Sequence, residues 1–480
     1  MSRMRERGAG VGLEIAPSLR MGLALHEGLR KNTMKLEGQR VVVMGTKRSG
    51  LAACELLRGK GAEVRAIHRD PLPETEEAAF RRLGVRIGIE DEETWDDAPE
   101  LIVLSPGLAV DLPLLTKARA RGIPVIGEVE LASYFLRGPI LGITGTNGKT
   151  TTTALAGHLL KECGIPCQVG GNIGTPVTSI VDSSADQQWN VLELSSFQLE
   201  TISHFHARIS VCLNVTPDHL DRHKTFERYA GAKARLFETQ AEQDAAVLNY
   251  EDSECRQFAN RTKAEVFWFS SRQKVSAGMW FDGENLIWEE KPFLSRSRIH
   301  LRGQHNVENV MAAATAARLA GADAARLAQA VETFPGVEHR LEFVRSVNGV
   351  EYYNDSKATN VDSTQKALDA FAGGLWVILG GRDKASDYRP LGESLRTKAK
   401  AVLLIGEAAP IIQAQLTGQA QLAGFPPMTT VGKLDTAVEY AHENAKPGDV
   451  VLLSPACASF DQFDNFEHRG RVFKQLVGKL

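Results

Sequence analysis

The chain has 480 residues, too many for one hydrophobic core, so two to four domains are expected. Its hydrophobic share of 43% and charged share of 24% are those of an ordinary globular protein, and no apolar run approaches the ~20 residues that span a bilayer. A net charge of −3 provides no global field for nucleic acid, so any anionic ligand must be met by local Lys and Arg.

Residues 1–34 start basic, but Pro17 and Glu27 break their apolar stretches. They lack a continuous signal-peptide core and read as a loose extension before a natural start near Met34. "RVVVMGTKRSG" (Arg40–Gly50) then reads as strand, tight turn and helix, followed by the strands "EVRAIHR" and "LIVLSPG". This first unit ends near Gly127. A second unit opens with the strand "PILGIT" and the helix "TTTALAGHLLKECG"; "WNVLELSS" and "ARISVCLNV" are further apolar strands. "VFWFS" and the segments from Gly278 to His300 read as small hairpins, and two long helices lead to a boundary at Pro335-Gly336. In the third unit Asn348-Gly349 is a hairpin signal, and "LWVILGG", "AVLLIG" and "DVVLLSP" are strands between helices. Alternating strands and helices predict an α/β fold with mainly parallel sheets. Cys54, Cys163, Cys167, Cys212, Cys255 and Cys457 form no C-x-x-C pair, which points to free thiols in a reducing cytoplasm.

"GITGTNGKTT" (Gly142–Thr151) carries the strongest chemical signal. Five residues separate Gly142 from Gly148, one more than in a strict Walker loop. The physics survives this offset. Gly145 and Gly148 permit close backbone approach, and N–H groups at the following helix start face an anion. Lys149 reaches terminal phosphates, and the Thr150 hydroxyl suits Mg²⁺. The first turn, "GTKRSG", has Lys47 where a dinucleotide fingerprint has its middle glycine, which argues against NAD and leaves another phosphate ligand open. Glu193 ends a core strand, and Asp218, His219, Asp221 and His223 crowd the segment after another. A carboxylate and an imidazole at neighbouring strand ends suit a Mg²⁺ site, although each alone suits a solvated loop. Asp355, Lys357, Ser459 and Arg469 suit an amino acid or a phosphate, and helix capping explains Asp355 and Ser459 equally well.

"TGTNGKTT", "GGNIG", "ELSSFQLE", "NVTPDHLDRH", "GQHNVENVMAA", "HRLE", "NDSKATN" and "LSPACASFDQFDNFEHRG" occur in the order found in the Mur ligases. From about residue 36 to the end the chain resembles that family, most specifically through "NDSKATN" and "SPACASFDQF". The resemblance implies a Rossmann-like UDP-substrate domain (35–127), a central P-loop ATPase domain (128–336) and a Rossmann-like amino-acid domain (337–480). It implies an ATP-dependent carboxylate–amine ligase of peptidoglycan precursor synthesis, with ATP and Mg²⁺ at two sites. The implied substrates are UDP-N-acetylmuramoyl-L-alanine and D-glutamate, joined through an acyl phosphate. Nucleic acid and membrane are not expected as partners, and a cytoplasmic monomer is.

The resemblance carries roles over residue by residue. It implies that Gly145, Thr146, Asn147, Gly148, Lys149, Thr150, Thr151, Asn306, Arg340 and Asp355 contact ATP. Thr150, Glu193 and His219 match metal-binding positions. Lys233 matches a lysine that is carbamylated in the family, although its residues alone read as a solvated helix lysine. A carbamate needs the neutral amine, so nearby cations are expected to lower its pKa. Arg48, Ser49, Arg69, Ser105 and Asn172 are implied for the UDP substrate, and Lys357, Thr359, Lys384, Ser459, Phe460 and Phe466 for D-glutamate. The turn "GTKRSG" departs from the family's glycine-richer G-x-G-x-T/S-G, so Lys47 and Arg48 recast the diphosphate hold, and Asp70 beside Arg69 is a weak match. A sibling ligase adding another amino acid and a nucleotide switch without ligation are the competing readings.

Overall fold

The computed structural model describes residues 34–69, 72–89, 99–420 and 424–480. The loose extension expected for residues 1–33 and the match at Asp70 lie outside the described residues.

The first sheet contains β1 (Arg40–Met44), β2 (Glu63–His68), β3 (Arg86–Ile89), β4 (Leu101–Leu104) and β5 (Val125–Gly127), in the order β3-β2-β1-β4-β5. All its pairings are parallel. The central strands β1 and β4 are runs of β-branched and aliphatic residues covered on both faces, as in buried parallel sheets, while the edge strand β3 is partly exposed. The order reverses between β1 and β4, and sheets of this kind bind ligands at the carboxyl ends of the strands flanking such a reversal. Gly50 lets the helix Arg48–Gly59 start hard against the β1 turn, since a Cβ there would lie 1.8 Å from the Gly45 carbonyl oxygen.

The central sheet holds β6 (Ile140–Thr144), β7 (Cys167–Gly171), β8 (Trp189–Glu193), β9 (Ile209–Cys212), β10 (Ala245–Asn249), β11 (Glu265–Ser270), β12 (Gly278–Phe281), β13 (Asn285–Trp288) and β14 (Lys291–Ser295). Their order is β14-β13-β12-β11-β10-β9-β6-β8-β7. β6, which feeds the phosphate loop, lies between β8 and β9, whose carboxyl ends carry Glu193 and lead to His219. The hairpin expected at "VFWFS" is not formed: β11 pairs in parallel with both β10 and β12, and antiparallel pairing begins only at β12–β13 and β13–β14. Phe267 and Phe269 join one core, while Val266 and Trp268 pack against the other. A short aromatic run covered on both faces has no alternation to distinguish it from a hairpin arm.

The third sheet contains β15 (Glu342–Val347), β16 (Val350–Asn354), β17 (Leu375–Gly380), β18 (Ala399–Ile405), β19 (Met428–Gly432) and β20 (Val450–Leu453), ordered β15-β16-β20-β17-β18-β19. β15 and β16 form the hairpin signalled by Asn348-Gly349, whose φ angles of 51° and 80° suit a primed turn. The other pairings are parallel. One apolar core runs without a break from Leu57 and Val64 under the first sheet to Val177, Ile180 and Leu199 in the second. The six cysteines are free thiols. No described helix is long and apolar enough to cross a membrane.

Candidate active site

The phosphate loop is shaped by its own side chains and by the strand beside it. Thr146 N–H donates to the Asn214 carbonyl at 2.8 Å, and Asn147 N–H to Asn214 Oδ1 at 2.9 Å. The Thr146 hydroxyl reaches Thr216 O and Tyr229 OH. Gly148 caps the next helix, Lys149–Glu162, at φ 87°; a Cβ there would be 2.3 Å from Asn309 Oδ1. Lys149 Nζ lies on the Gly145 and Thr146 carbonyls at 2.9 and 2.7 Å. Enclosure lowers its pKa, against the pull of Glu193. Thr151 is buried with an unpartnered hydroxyl.

Lys233 is not the solvated lysine its charge implied. It is 1% exposed in the helix Phe226–Glu238. Its Nζ donates to the Gly145 carbonyl at 2.7 Å, the same oxygen that Lys149 uses, and lies 4.6 Å from the Tyr229 ring centre. Burial first, and the Lys149 charge second, push its pKa down to about 7. The neutral amine expected at this site is therefore favoured mainly by desolvation, with one cation adding to it rather than two setting it.

Glu193 is buried near Lys149. Its Oε1 accepts from Asn172 Nδ2 at 2.8 Å, and its Oε2 has no hydrogen-bond partner. A buried carboxylate oxygen without a donor is costly, and a cation relieves that cost. Carboxylate, hydroxyl and imidazole donors from Glu193, Thr150 and His219 fit Mg²⁺ on this ground. His219 is half-exposed at φ 51°, with its ring edge-on to Phe197 at 4.8 Å. His223 is no ligand candidate: it is buried against Ser196 Oγ at 3.0 Å and Glu200 at 3.3 Å.

The loop after β16 and the start of the helix that follows it, Val361–Asp369, meet the phosphate loop. Lys357 Nζ donates to Thr150 Oγ1 at 2.9 Å, and Asn147 Nδ2 to Asp362 Oδ2 at 2.7 Å. A cleft there is lined by Asn147, Gly148, His305, Asn309, Arg340 and Asp355, among others. Arg340 Nε is buried without a partner. Asp355 is buried, accepts from Ser454 Oγ and Leu341 N–H, and is pushed up to about 7 by burial. Burial and then Arg340 push Lys357 down to about 8. Asn306 is turned away from the cleft lining, with its amide taken up by Arg302 O and Asn309. His305, Glu308 and Asn309 present that helix to the cleft; only the helix's packing, not the motif, distinguishes Asn306 from Asn309.

The D-glutamate candidates gather on paired loops. Ser459 is buried, Phe460 is 61% exposed, and Arg382 bridges to Ala458, which brings the exposed Lys384 loop beside them. Lys357 Nζ lies 5.6 Å from the Phe466 ring, and the half-buried Thr359 follows in the same loop. Arg469 is not a ligand group. It is 1% exposed and donates to Ser356 Oγ, Ser356 O, Cys457 O and Ala458 O, stitching the two loops together. Burial pushes it down to about 10. Arg469→Ala is expected to lower Tm by more than about 5 °C, since each buried acceptor left unpaired costs about 1–3 kcal/mol. An unchanged melting curve would show that the loops hold without it.

Four of the UDP candidates sit apart, on the segments that leave β1, β2 and β4. Arg48 is exposed and Ser49 half-buried at the start of their helix, whose cap Lys47 makes no side-chain bond to the helix N–H groups. Ser105 is buried against the Gly45 turn, its hydroxyl 3.4 Å from Gly45 O. Arg69 is exposed after β2. Asn172 is instead beside Glu193, away from the other four.

Three family models match the chain: the MurD-like N-terminal domain of Mur ligases over residues 39–127, the Mur ligase middle domain over 143–317, and the Mur ligase glutamate ligase domain over 339–457. The UDP-N-acetylmuramoylalanine–D-glutamate ligase of Solibacter usitatus is 55% identical over 447 residues, covering 93% of this chain and 99% of that protein. The same-named protein of Acidobacterium capsulatum is 48% identical over 458 residues, covering 92% and 97%. Among solved structures, UDP-N-acetylmuramate-alanine ligase MurC from Thermotoga maritima shares 19% identity at a TM-score of 0.58, covering 92% of this chain and 99% of that one. MurF ligase from Thermotoga maritima in complex with ADP shares 18% at 0.58, covering 92% and 96%. At such identities the structures speak for the fold alone.

Proposed function

The chain belongs to the Mur ligase family, and from that premise we propose that it joins D-glutamate to UDP-N-acetylmuramoyl-L-alanine at the expense of ATP. The observation that carries this reading is the Lys357–Thr150 bond. It sets a loop of the third domain, to which we assign the amino acid, directly on the phosphate loop, an arrangement a nucleotide switch does not need. The site is assembled within one chain, which suits a monomer, and nucleotide-linked substrates with free thiols suit the cytoplasm.

The alanyl carboxylate attacks the γ-phosphorus, the bond to the β–γ bridging oxygen breaks, and ADP leaves. The D-glutamate amine then attacks the acyl carbon, loses a proton, and phosphate departs with the electrons of the C–O bond. A carboxylate resists amine attack, whereas an acyl phosphate has a good leaving group. Both reacting partners of the first step are anions, so cations must hold them together. Lys149, Lys357 and Arg340 are the protein's own cations here, and the unpartnered Arg340 Nε is free to donate to a nucleotide oxygen. Glu193, Thr150 and His219 would hold Mg²⁺, which would supply further positive charge, and a carbamylated Lys233 would support a second ion. N–H groups at the start of the helix Lys149–Glu162 orient the phosphates, and the buried Asp355 lines the cleft.

Ser459→Ala and Lys384→Ala are expected to raise KM for D-glutamate about tenfold or more while leaving KM for ATP within twofold, because a bound carboxylate loses its partner. Weakened ATP binding instead would refute the division between the domains. The function itself is tested by phosphate release with UDP-N-acetylmuramoyl-L-alanine and a panel of amino acids including both glutamate enantiomers. Release is expected with D-glutamate only. Another preferred amino acid would identify a sibling ligase, and acceptor-independent release a switch.

A further inference from the structure

Arg222 has no part in the chemistry above, yet it is built into the site. It lies in the four-residue helix Leu220–His223 that His219 caps, and its side chain is 14% exposed. Its Nη2 donates to the Leu108 carbonyl of the first domain at 2.6 Å and to Glu200 Oε2 at 2.8 Å. The guanidinium also lies over the Phe197 ring, 4.9 Å from its centre, and that ring meets His219 edge-on. Leu108 belongs to the turn that closes on Ser105, and its side chain packs against Gly45. One planar group thus touches the turn that ends β4 and the ring on which His219 rests.

We propose that Arg222 is a positioning residue that sets the distance between the nucleotide-sugar anchor of the first domain and the phosphate end of the central domain. This rests on the function proposed above. The acceptor substrate is anchored at its diphosphate and must deliver its far carboxylate to within about 3–3.5 Å of the γ-phosphorus, where a misplacement of about 1 Å costs about 10²-fold in rate. The shared apolar core fixes the bulk contact between the two domains, whereas the bond to Leu108 fixes the anchoring turn itself. One nitrogen, Nη2, serves both acceptors while the guanidinium carbon lies over the ring, a combination of bonding and flat contact that a lysine ammonium does not reproduce.

The test compares wild type, Arg222→Ala and Arg222→Lys. Calorimetry without Mg²⁺ and ATP measures binding of UDP and of UDP-N-acetylmuramoyl-L-alanine, and steady-state assays measure kcat and each KM. In both variants kcat is expected to fall about 10- to 100-fold, with KM for ATP and D-glutamate within twofold. UDP affinity is expected to hold within twofold, while the whole acceptor loses several-fold, because only the acceptor spans the two domains. The lysine variant keeps the charge and one bond, so it reads the same effect if the alanine variant does not fold. Unchanged kcat in both variants, or equal losses for UDP and acceptor, overturns the positioning role. A wild type that neither binds nor turns over the acceptor overturns the proposed function instead.

Discussion

Lys149→Ala is expected to lower turnover by about 10³-fold while the protein stays folded. The magnitude follows from removing a charge held where negative charge develops in phosphoryl transfer. The fold survives because the ammonium's acceptors are not both orphaned. Gly145 O keeps its bond from Lys233 Nζ, so only Thr146 O loses a donor. The loop itself is shaped by Asn214 and Tyr229, which do not depend on the lysine. The loss should appear in kcat, with Tm and the far-UV spectrum unchanged. Near-normal turnover would sink the phosphate-loop assignment. A second consequence is electrostatic: the Lys149 charge helps to depress the Lys233 pKa, so removing it lets that pKa rise.

What could be read from the residues follows from how locally each feature is encoded. A strand–loop–helix with Gly148-Lys149-Thr150 is a local device, and so is the Asn348-Gly349 hairpin; both are formed. β11 escaped because its two faces meet two different cores, which a five-residue aromatic run does not announce. Lys233 escaped because a lysine carries its charge in any sequence. Its helix nevertheless held a signal. Tyr229, Ala230, Leu236 and Phe237, at offsets of −4, −3, +3 and +4, are all buried, so Lys233 sits in the middle of the apolar stripe. Arg469 and Arg222 have no such signal. Their partners are carbonyls and rings distant in the chain, and only tertiary packing brings them together. Asn306 and Asn309 are three apart on one helix, and their division of labour is set by the helix's rotation against the phosphate loop.

Lys233→Ala is expected to lose most of the activity, and small carboxylates such as acetate or formate are expected to restore part of it. The buried ammonium is unfavourable here: it is desolvated and shares a carbonyl with Lys149. With a pKa of about 7 in the fold and the usual lysine value unfolded, the unfolded chain binds more protons between these values, so this group adds stability as pH rises above about 7. The neutral amine is the form that reacts with CO₂, so a carbamate is expected to form near neutrality and to be lost as pH falls below about 7. A carbamate reverses the charge and presents the oxygen donors that Mg²⁺ prefers. Truncation to alanine opens space beside the Tyr229 ring, into which a small carboxylate fits with the same charge. Lys233→Arg should be inactive and resist rescue, because it keeps a fixed cation and fills that space. Wild-type activity should fall in CO₂-stripped buffer, return on adding bicarbonate, and lose this dependence in the acetate-rescued alanine variant. A fully active Lys233→Ala enzyme would refute the carbamate and leave Lys233 as a buried amine tethering the helix Phe226–Glu238 to the phosphate loop.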